Sequence, residues 1–494
     1  MTWLRYIRVA AQIIFLGLFI YFFLVTATVT RSIFINPFFS ADPLIFTINS
    51  IATRIMLSIG LPLMLIILSL IFGRFFCGFI CPLGILIDWS GSFIGRHKPR
   101  KGDDRKIKYY ILLTIFISAI LGGSLVYIFD PLVIVGRSFT TVLRLIVSVF
   151  QDNALLHNGF LFLGILLIIL GLNLIRKRFW CQSLCPLGAL FALISRWSIL
   201  RFTFKKSCNE CHRCRYICPT GAISVELRAV SQLECVRCLR CLEACRESGI
   251  SLAFALPATP PQSLNLSRRG LITSIGLGII TIPLLKTEIF KKINPNRVIR
   301  PPGSIPEELF IDACIRCGEC VKICPTNGLQ PVLLQRGFGG LFTPQLIPRI
   351  GGCERNCNGC GQVCPTGAIR KLELKEKDFV KIGTAVIHKE MCLAWEQDKL
   401  CLICDEACPY NAIESKMVDI LGNKLLRPFV KEELCTGCGI CESRCPITGP
   451  SAIEVFPIGE ERLLTGSYIN EQKIRLRELL GQESEEDIPT GFME

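Results

Sequence analysis

CNECHRCRYICP, residues 208–219, sets four cysteines in the spacing C-x-x-C-x-x-C-x-x-x-C, followed by a proline. Three cysteines on a tight loop can face one 4Fe-4S cube, while the fourth, held off by three residues and the proline, turns to the cube of a neighbouring group. Such groups therefore come in pairs, and the partner follows at CVRCLRCLEACR, residues 235–246, where Arg246 takes the place of the usual proline. The exchange rule assigns Cys208, Cys211, Cys214 and Cys245 to one cube and Cys235, Cys238, Cys241 and Cys218 to the other.

Four more groups lie downstream. Cys314, Cys317, Cys320 and Cys324, then Cys435, Cys438, Cys441 and Cys445, keep the minimal spacing. Cys353, Cys357, Cys360 and Cys364 widen one gap, and Cys392, Cys401, Cys404 and Cys408 carry an eight-residue insert that leaves room for a loop to shield a cube or meet a partner. Twenty-four of the 28 cysteines fall in these six groups. Zinc sites present two C-x-x-C arms across a longer insert, and disulfide scaffolds belong to short secreted chains, so the pattern reads as six 4Fe-4S clusters. Which of the last four groups pair is not set by spacing.

The composition places part of the chain in a membrane. Of 494 residues, 51% are hydrophobic and 19% charged, on the apolar side of a soluble average. Apolar runs at about 9–30, 55–73, 109–129 and 160–175 approach the ~20 residues that cross a bilayer. Three further runs and no small-residue cleavage site follow the first, which reads as a retained span. Arg5 and Arg8 precede it, and Arg96, Lys98, Arg100, Lys101, Arg105, Lys106 and Lys108 lie between the second and third runs, so these segments are expected in the cytoplasm. The net charge of +15 gathers beside apolar runs, where it meets lipid headgroups; no nucleic-acid partner is expected.

This membrane half, residues 1–200, is duplicated. DPLIF from Asp42 and RFFCGFICPLG from Arg74 return as DPLVI from Asp130 and RFWCQSLCPLG from Arg178. Cys77 and Cys81, with Cys181 and Cys185, are expected at cytoplasmic helix ends, each pair on one face if its helix continues. Three readings stand for these four: a seventh cluster, redox-active thiols, or structural pairs. Asp42 and Asp130 are expected at the opposite, non-cytoplasmic side, either opening turns or accepting a proton from a quinol. The segment 137–150 reads as an interfacial helix. Of the four histidines, none lies inside an apolar run, so no haem is expected there.

The two-cluster ferredoxin, 201–255, is expected in the cytoplasm. A Pro-rich linker then leads, within 256–299, to SRRGLITSIGLGIITIPLL, whose Arg268 and Arg269 before an apolar run have the form of a twin-arginine signal. That run reads as a fifth span carrying the four-cluster domain, 300–458, out of the cytoplasm, although Lys286, Lys291 and Lys292 on its far side oppose this. The charged tail, 459–494, holds an amphipathic stretch at Ile474 to Leu480 and an acidic run at Glu483 to Asp487. The fold class is therefore an α-helical membrane bundle of four spans in two repeated hairpins, with a fifth span, joined to α+β bacterial-type two-cluster ferredoxins.

The membrane half with its CxxxCP pairs resembles NapH, and SRRGLI, RPPGSIPEELF from Arg300, and the CLAWEQ and CTGCG groups resemble NapG, as a fusion of two ordinarily separate proteins. The resemblance implies a quinol-dehydrogenase ferredoxin of periplasmic nitrate reduction, taking electrons from the quinone pool and giving them to a periplasmic reductase or cytochrome. Methylamine-utilisation ferredoxins share these features, so the acceptor stays open. The alternative is an accessory or regulatory polyferredoxin serving maturation of a metalloenzyme. A soluble-substrate oxidoreductase finds no nucleotide-binding glycine fingerprint.

Overall fold

The computed structural model describes residues 3–28, 35–56, 58–93, 103–148, 159–224, 228–245, 247–254, 264–286, 298–333, 337–420, 423–475 and 479. Arg246, most of the basic loop, the Pro-rich linker and the acidic run at Glu483 to Asp487 lie outside them. The chain forms two units, Met1–Thr287 with Ile311–Glu319, and Glu288–Phe310 with Cys320–Glu494.

The first unit opens with the 26-residue helix Trp3–Thr28. The duplicated Asp-Pro pairs are helix starts, not turns. Asp42 Oδ1 accepts from the backbone N–H of Leu44 at 2.7 Å and of Ile45 at 3.2 Å, capping Pro43–Thr53. Asp130 Oδ1 does the same for Leu132 at 2.9 Å and Val133 at 3.1 Å, capping Pro131–Ser148. The aspartate satisfies orphan N–H groups, and proline at the first helical position loses no bond by lacking one.

Among the described residues, two helices are long and apolar enough to cross a membrane, Trp3–Ala27 and Pro131–Ser148. The runs at 55–73, 109–129 and 160–175 yield Gly60–Phe72, Ile107–Ile120 and Gly159–Gly171, of 13, 14 and 13 residues. Each rises only about 20 Å, short of the ~30 Å hydrocarbon core. Left-handed backbone at Gly122 interrupts the run at 109–129, and left-handed Arg54, just before the run at 55–73, ends the helix Pro43–Thr53. Pro131–Ser148, expected in the interface, instead buries its polar residues: Ser138 donates to the Phe162 carbonyl at 3.1 Å and Thr141 to that of Gly159 at 3.2 Å. A helix whose polar side chains bond to a neighbour's backbone mimics a surface pattern while lying inside.

Arg268–Lys286 is a 19-residue helix set against Ile107–Ile120. Thr114 Oγ1 donates to the Ser274 carbonyl at 3.1 Å, while Ile272, Leu277, Ile279 and Ile280 face outward. The ferredoxin of this unit is closed by antiparallel pairing of Leu200–Phe204 with Ile250–Phe254 and of Ile223–Ser224 with Ala229–Val230.

The second unit repeats that closure, pairing Thr384–Ile387 with Ile453–Phe456. A hairpin of Ile413–Ile420 and Asn423–Val430 rises beside it. The insert after Cys392 folds onto this hairpin: Trp395 Nε1 donates to the Pro428 carbonyl at 3.3 Å, and the buried Arg427 pairs with Asp398 at 2.6 Å. The buried Arg300 binds Glu307 through two bonds, at 2.6 and 3.0 Å, and Arg462 adds a second cation. Burial pushes the Glu307 carboxyl up, but the two guanidiniums overcome this and hold it at about 2.

Candidate iron-sulfur sites

The C-x-x-C-x-x-C loops curl because of their backbone. Left-handed residues recur at Glu210 and His212, at Arg237 and Leu239, and, as glycines, at Gly437 and Gly439. Alternating hand turns successive thiols to one side and points N–H groups inward, the arrangement of an anion nest. A short helix begins at the third cysteine of each, over Arg213–Ile217, Arg240–Ala244 and Ile440–Arg444.

The exchange of fourth cysteines is visible in which side chains share a cavity. Cys208, Cys211, Cys214 and Cys245 line one. Cys218 stands within electrostatic reach of Cys235, Cys238 and Cys241. In the second unit, Cys392, Cys401, Cys404 and Cys445 line one cavity, and Cys408, Cys435, Cys438 and Cys441 another. Cys324 joins Cys353, Cys357 and Cys360. The Cys392 and Cys435 groups, adjacent in sequence, thus pair, and Cys324 serves the group that follows its own, the point that spacing left open. The Cys353 N–H donates to the Cys438 carbonyl at 2.7 Å, so consecutive pairs abut.

Burial pushes the Cys235 thiol up to about 12, against the lowering effect of Arg237, and the Cys438 thiol likewise to about 12. Metal binding takes such cysteines as thiolates and releases their protons. Among the described residues no three His, Cys, Asp or Glu side chains close in as a single metal ion requires. A cube, whose cysteines sit on four separate irons, asks for a wider spacing.

Cys77, Cys81, Cys181 and Cys185, from the two repeats, line a single cavity with Phe76, Trp180, Pro131, Gly84 and Gly188. The first cysteine of each pair sits on a π-helical turn, Phe76–Ile80 or Trp180–Leu184, after which the second cysteine is extended and a new helix starts at its proline. The helix does not continue through the pair as i, i+4 spacing implied; a π turn does the positioning, as at many functional sites. Gly188 N–H donates to Cys185 Sγ at 3.2 Å. The N-termini of Pro82–Phe93, Pro186–Ser195 and Pro131–Ser148 all meet this cavity, and helix N-termini favour anionic groups.

Pro131 in that lining brings the Asp-Pro elements to the cysteines, not to the opposite side as expected. Asp42 and Asp130 are buried side by side, each with an Oδ2 that finds no hydrogen-bond partner. The helices these residues cap start beside the cysteine cavity.

Several residues escaped the sequence reading. Arg178 grips Asp88 through two 2.8 Å bonds and donates to the Cys77 carbonyl at 3.0 Å, tying one repeat to the other. Arg74 donates to the Leu233 carbonyl at 2.8 Å, and Lys108 binds Glu234 at 2.7 and 2.8 Å. Both arginines stand three residues before a CxxxC pair in the duplicated motif, which is the signal that would have found them. The ferredoxin loop abuts the centre: a Cβ on Gly78 would lie 2.3 Å from the Val236 carbonyl oxygen, and Arg8 donates to the Cys238 carbonyl at 3.1 Å.

Comparison with known proteins places iron-sulfur domains along the chain. A family model described as a 4Fe-4S binding domain matches residues 54–101 and 158–207, the two duplicated segments that hold the CxxxC pairs. A 4Fe-4S dicluster domain matches 200–255, and a further 4Fe-4S binding domain 310–330. Ferredoxin-type protein NapG of Escherichia coli is 37% identical over 169 residues, 32% of this chain and 71% of the relative. Methylamine utilization ferredoxin-type protein MauM of Methylorubrum extorquens is 36% identical over 167 residues, 33% of this chain and 73% of the relative. Ferredoxin-type protein NapH of Haemophilus influenzae is 29% identical over 225 residues, 42% of this chain and 72% of the relative. With its paired cysteine loops and these relatives, the chain belongs to the NapH/NapG-type family of 4Fe-4S electron-transfer ferredoxins.

Proposed function

We propose that this protein is a membrane-bound quinol dehydrogenase subunit that passes electrons from quinol to a reductase outside the cytoplasmic membrane. The observation that carries the proposal is the junction of the four-cysteine cavity with the ferredoxin loop, where Gly78 packs on the Val236 carbonyl. Clusters bound by these cysteines supply one-electron transfer. Seven sites, six in the loops and one at Cys77, Cys81, Cys181 and Cys185, account for all 28 cysteines.

The protein's part is position and charge. Arg8, Gln12 and Arg178 hold the Cys77–Cys81 turn and the Cys238 loop in one arrangement, with Gln12 Nε2 donating to the Gly78 carbonyl at 3.1 Å. Oxidation of a quinol releases two electrons and two protons, and the protons need an acceptor near the first electron acceptor. Asp42 and Asp130 take one of the two: like charges do not both stand in so buried a site, so the pair keeps one carboxylate ionised, which accepts one proton while the other leaves to water. The first ferredoxin lies in the cytoplasm, and Arg268–Lys286 leads the four-cluster domain out of it.

The test is direct. Quinol added anaerobically to the isolated, oxidised protein should reduce its clusters without another protein, and Asp130→Asn should slow this with iron content unchanged. Clusters that dithionite reduces but quinol leaves oxidised would favour the accessory, maturation role instead.

A further inference from the structure

The two motif arginines occupy equivalent places in the repeats but not equivalent environments. Arg178 is saturated by Asp88 and the Cys77 carbonyl. Arg74, 1% exposed, uses only Nη1, on the Leu233 carbonyl at 2.8 Å; its Nε and Nη2 are buried with no partner. Glu234, its ion-pair partner at 3.7 Å, is already bound by Lys108 at 2.7 Å, so two buried cations share one carboxylate. A buried guanidinium with free donors is costly unless something anionic completes it.

The unused donor points to the four-cysteine cavity. Gly188, which lines that cavity and donates to Cys185 Sγ, has Arg74 Nη2 3.0 Å from the place a Cβ would occupy. Cys77 and Cys185 are both within electrostatic reach of Arg74. A cube held by four thiolates is a net anion, and it gains negative charge on reduction; it supplies both the missing acceptor and the missing countercharge. Hydrogen bonds to sulfur and local charge set such potentials.

We propose that Arg74 donates from Nη2 and Nε to sulfur at the four-cysteine centre and holds that centre's reduction potential up, so that it accepts electrons from quinol. The same side chain, through Nη1, fixes the backbone that leads into Cys235. Arg74 is thus a tuning residue; Arg178, of the same motif, is a structural one. The inference rests on the reading of this centre as a cluster site.

The experiment uses the full chain, purified anaerobically, with potentiometric EPR. The centre's signal is the one that Cys181→Ser removes. In Arg74→Gln its one-electron reduction equilibrium should shift at least about tenfold toward the oxidised form, about 59 mV to lower potential. Arg74→Lys, which keeps the charge but not the planar fork, should shift it less, and iron per chain should be unchanged in the lysine variant. If the glutamine variant loses the centre, the lysine variant decides: a lowered midpoint supports the proposal and an unmoved one overturns it. Loss of the centre from both variants also contradicts a tuning role. Wild-type protein with about 24 irons and no signal sensitive to Cys181→Ser would overturn the cluster reading itself, and this inference with it.

Discussion

Gly78→Ala probes the junction on which electron delivery depends. The new Cβ would lie 2.3 Å from the Val236 carbonyl oxygen, about 1 Å inside the 3.4 Å of ordinary contact, and the obstacle is backbone, which cannot rotate away. The loop carrying Cys235 and Cys238 must therefore move off the Cys77–Cys81 turn. Overpacking of this kind costs about 1–3 kcal/mol. In a unit of this size that lowers the melting temperature by several degrees. Stopped-flow mixing with quinol should show the ferredoxin clusters reduced more slowly than in wild type, with iron content unchanged. Gly164→Ala is the control: nothing lies within 4 Å of its Cβ position, and it is interior to Gly159–Gly171. Alanine there should be neutral or stabilising by up to about 1 kcal/mol and leave the rate alone. Wild-type melting and reduction rates in Gly78→Ala would refute the close packing of the two loops.

Other outcomes follow from named contacts. Cys218→Ser should perturb the cluster of Cys235, Cys238 and Cys241 and spare that of Cys208, Cys211, Cys214 and Cys245, read by EPR; loss of the latter alone would contradict the exchange. Glu307→Gln should destabilise the second unit by on the order of 3 kcal/mol at pH 7, because its carboxyl is held at about 2. That depressed value contributes stability above the unfolded pKa of about 4.5 that is lost as pH falls toward 2, so the melting difference between variant and wild type should narrow over that window. A difference independent of pH would point to packing, not charge. A reporter fused after Glu494 should be active only outside the cytoplasm and one after Gly249 only inside, and lysine at both Arg268 and Arg269 should block export; cytoplasmic activity of the first fusion would exclude the export route.

Much of the site was legible because cysteine spacing is a direct imprint of cluster geometry. The exchange of Cys218 and Cys245 follows from a loop that can present three thiols to one cube but not four. Adjacent pairing in the second unit was not legible, since nested and adjacent pairing place the same cysteines at the same intervals; only the fold separates them. The duplicated motifs marked the right residues, yet the apolar runs around them promised four similar spans. Among the described residues three of those runs form shorter helices, because hydropathy does not register where a backbone breaks, as it does at left-handed Gly122 inside the run 109–129. Asp42 and Asp130 were expected far from the cysteines because they were placed by counting span lengths, whereas the helix Asp130 caps starts at the cysteine cavity. The arginines of RFFC and RFWC stood out in the sequence only as the first residues of a repeated motif. Their burial, and the difference between a saturated Arg178 and an unsatisfied Arg74, depends on Asp88 and Glu234, which no local pattern links to them.

Cysteines from both repeats build one more cluster between quinol and the ferredoxin, and the iron bound per chain in anaerobically purified protein reports it. Seven cubes give about 28 irons and six give about 24. Wild type should carry about 28 and both Cys77→Ser and Cys181→Ser about 24, with quinol-driven reduction lost in each. Wild-type protein with about 24 irons, unchanged by either substitution, would contradict it.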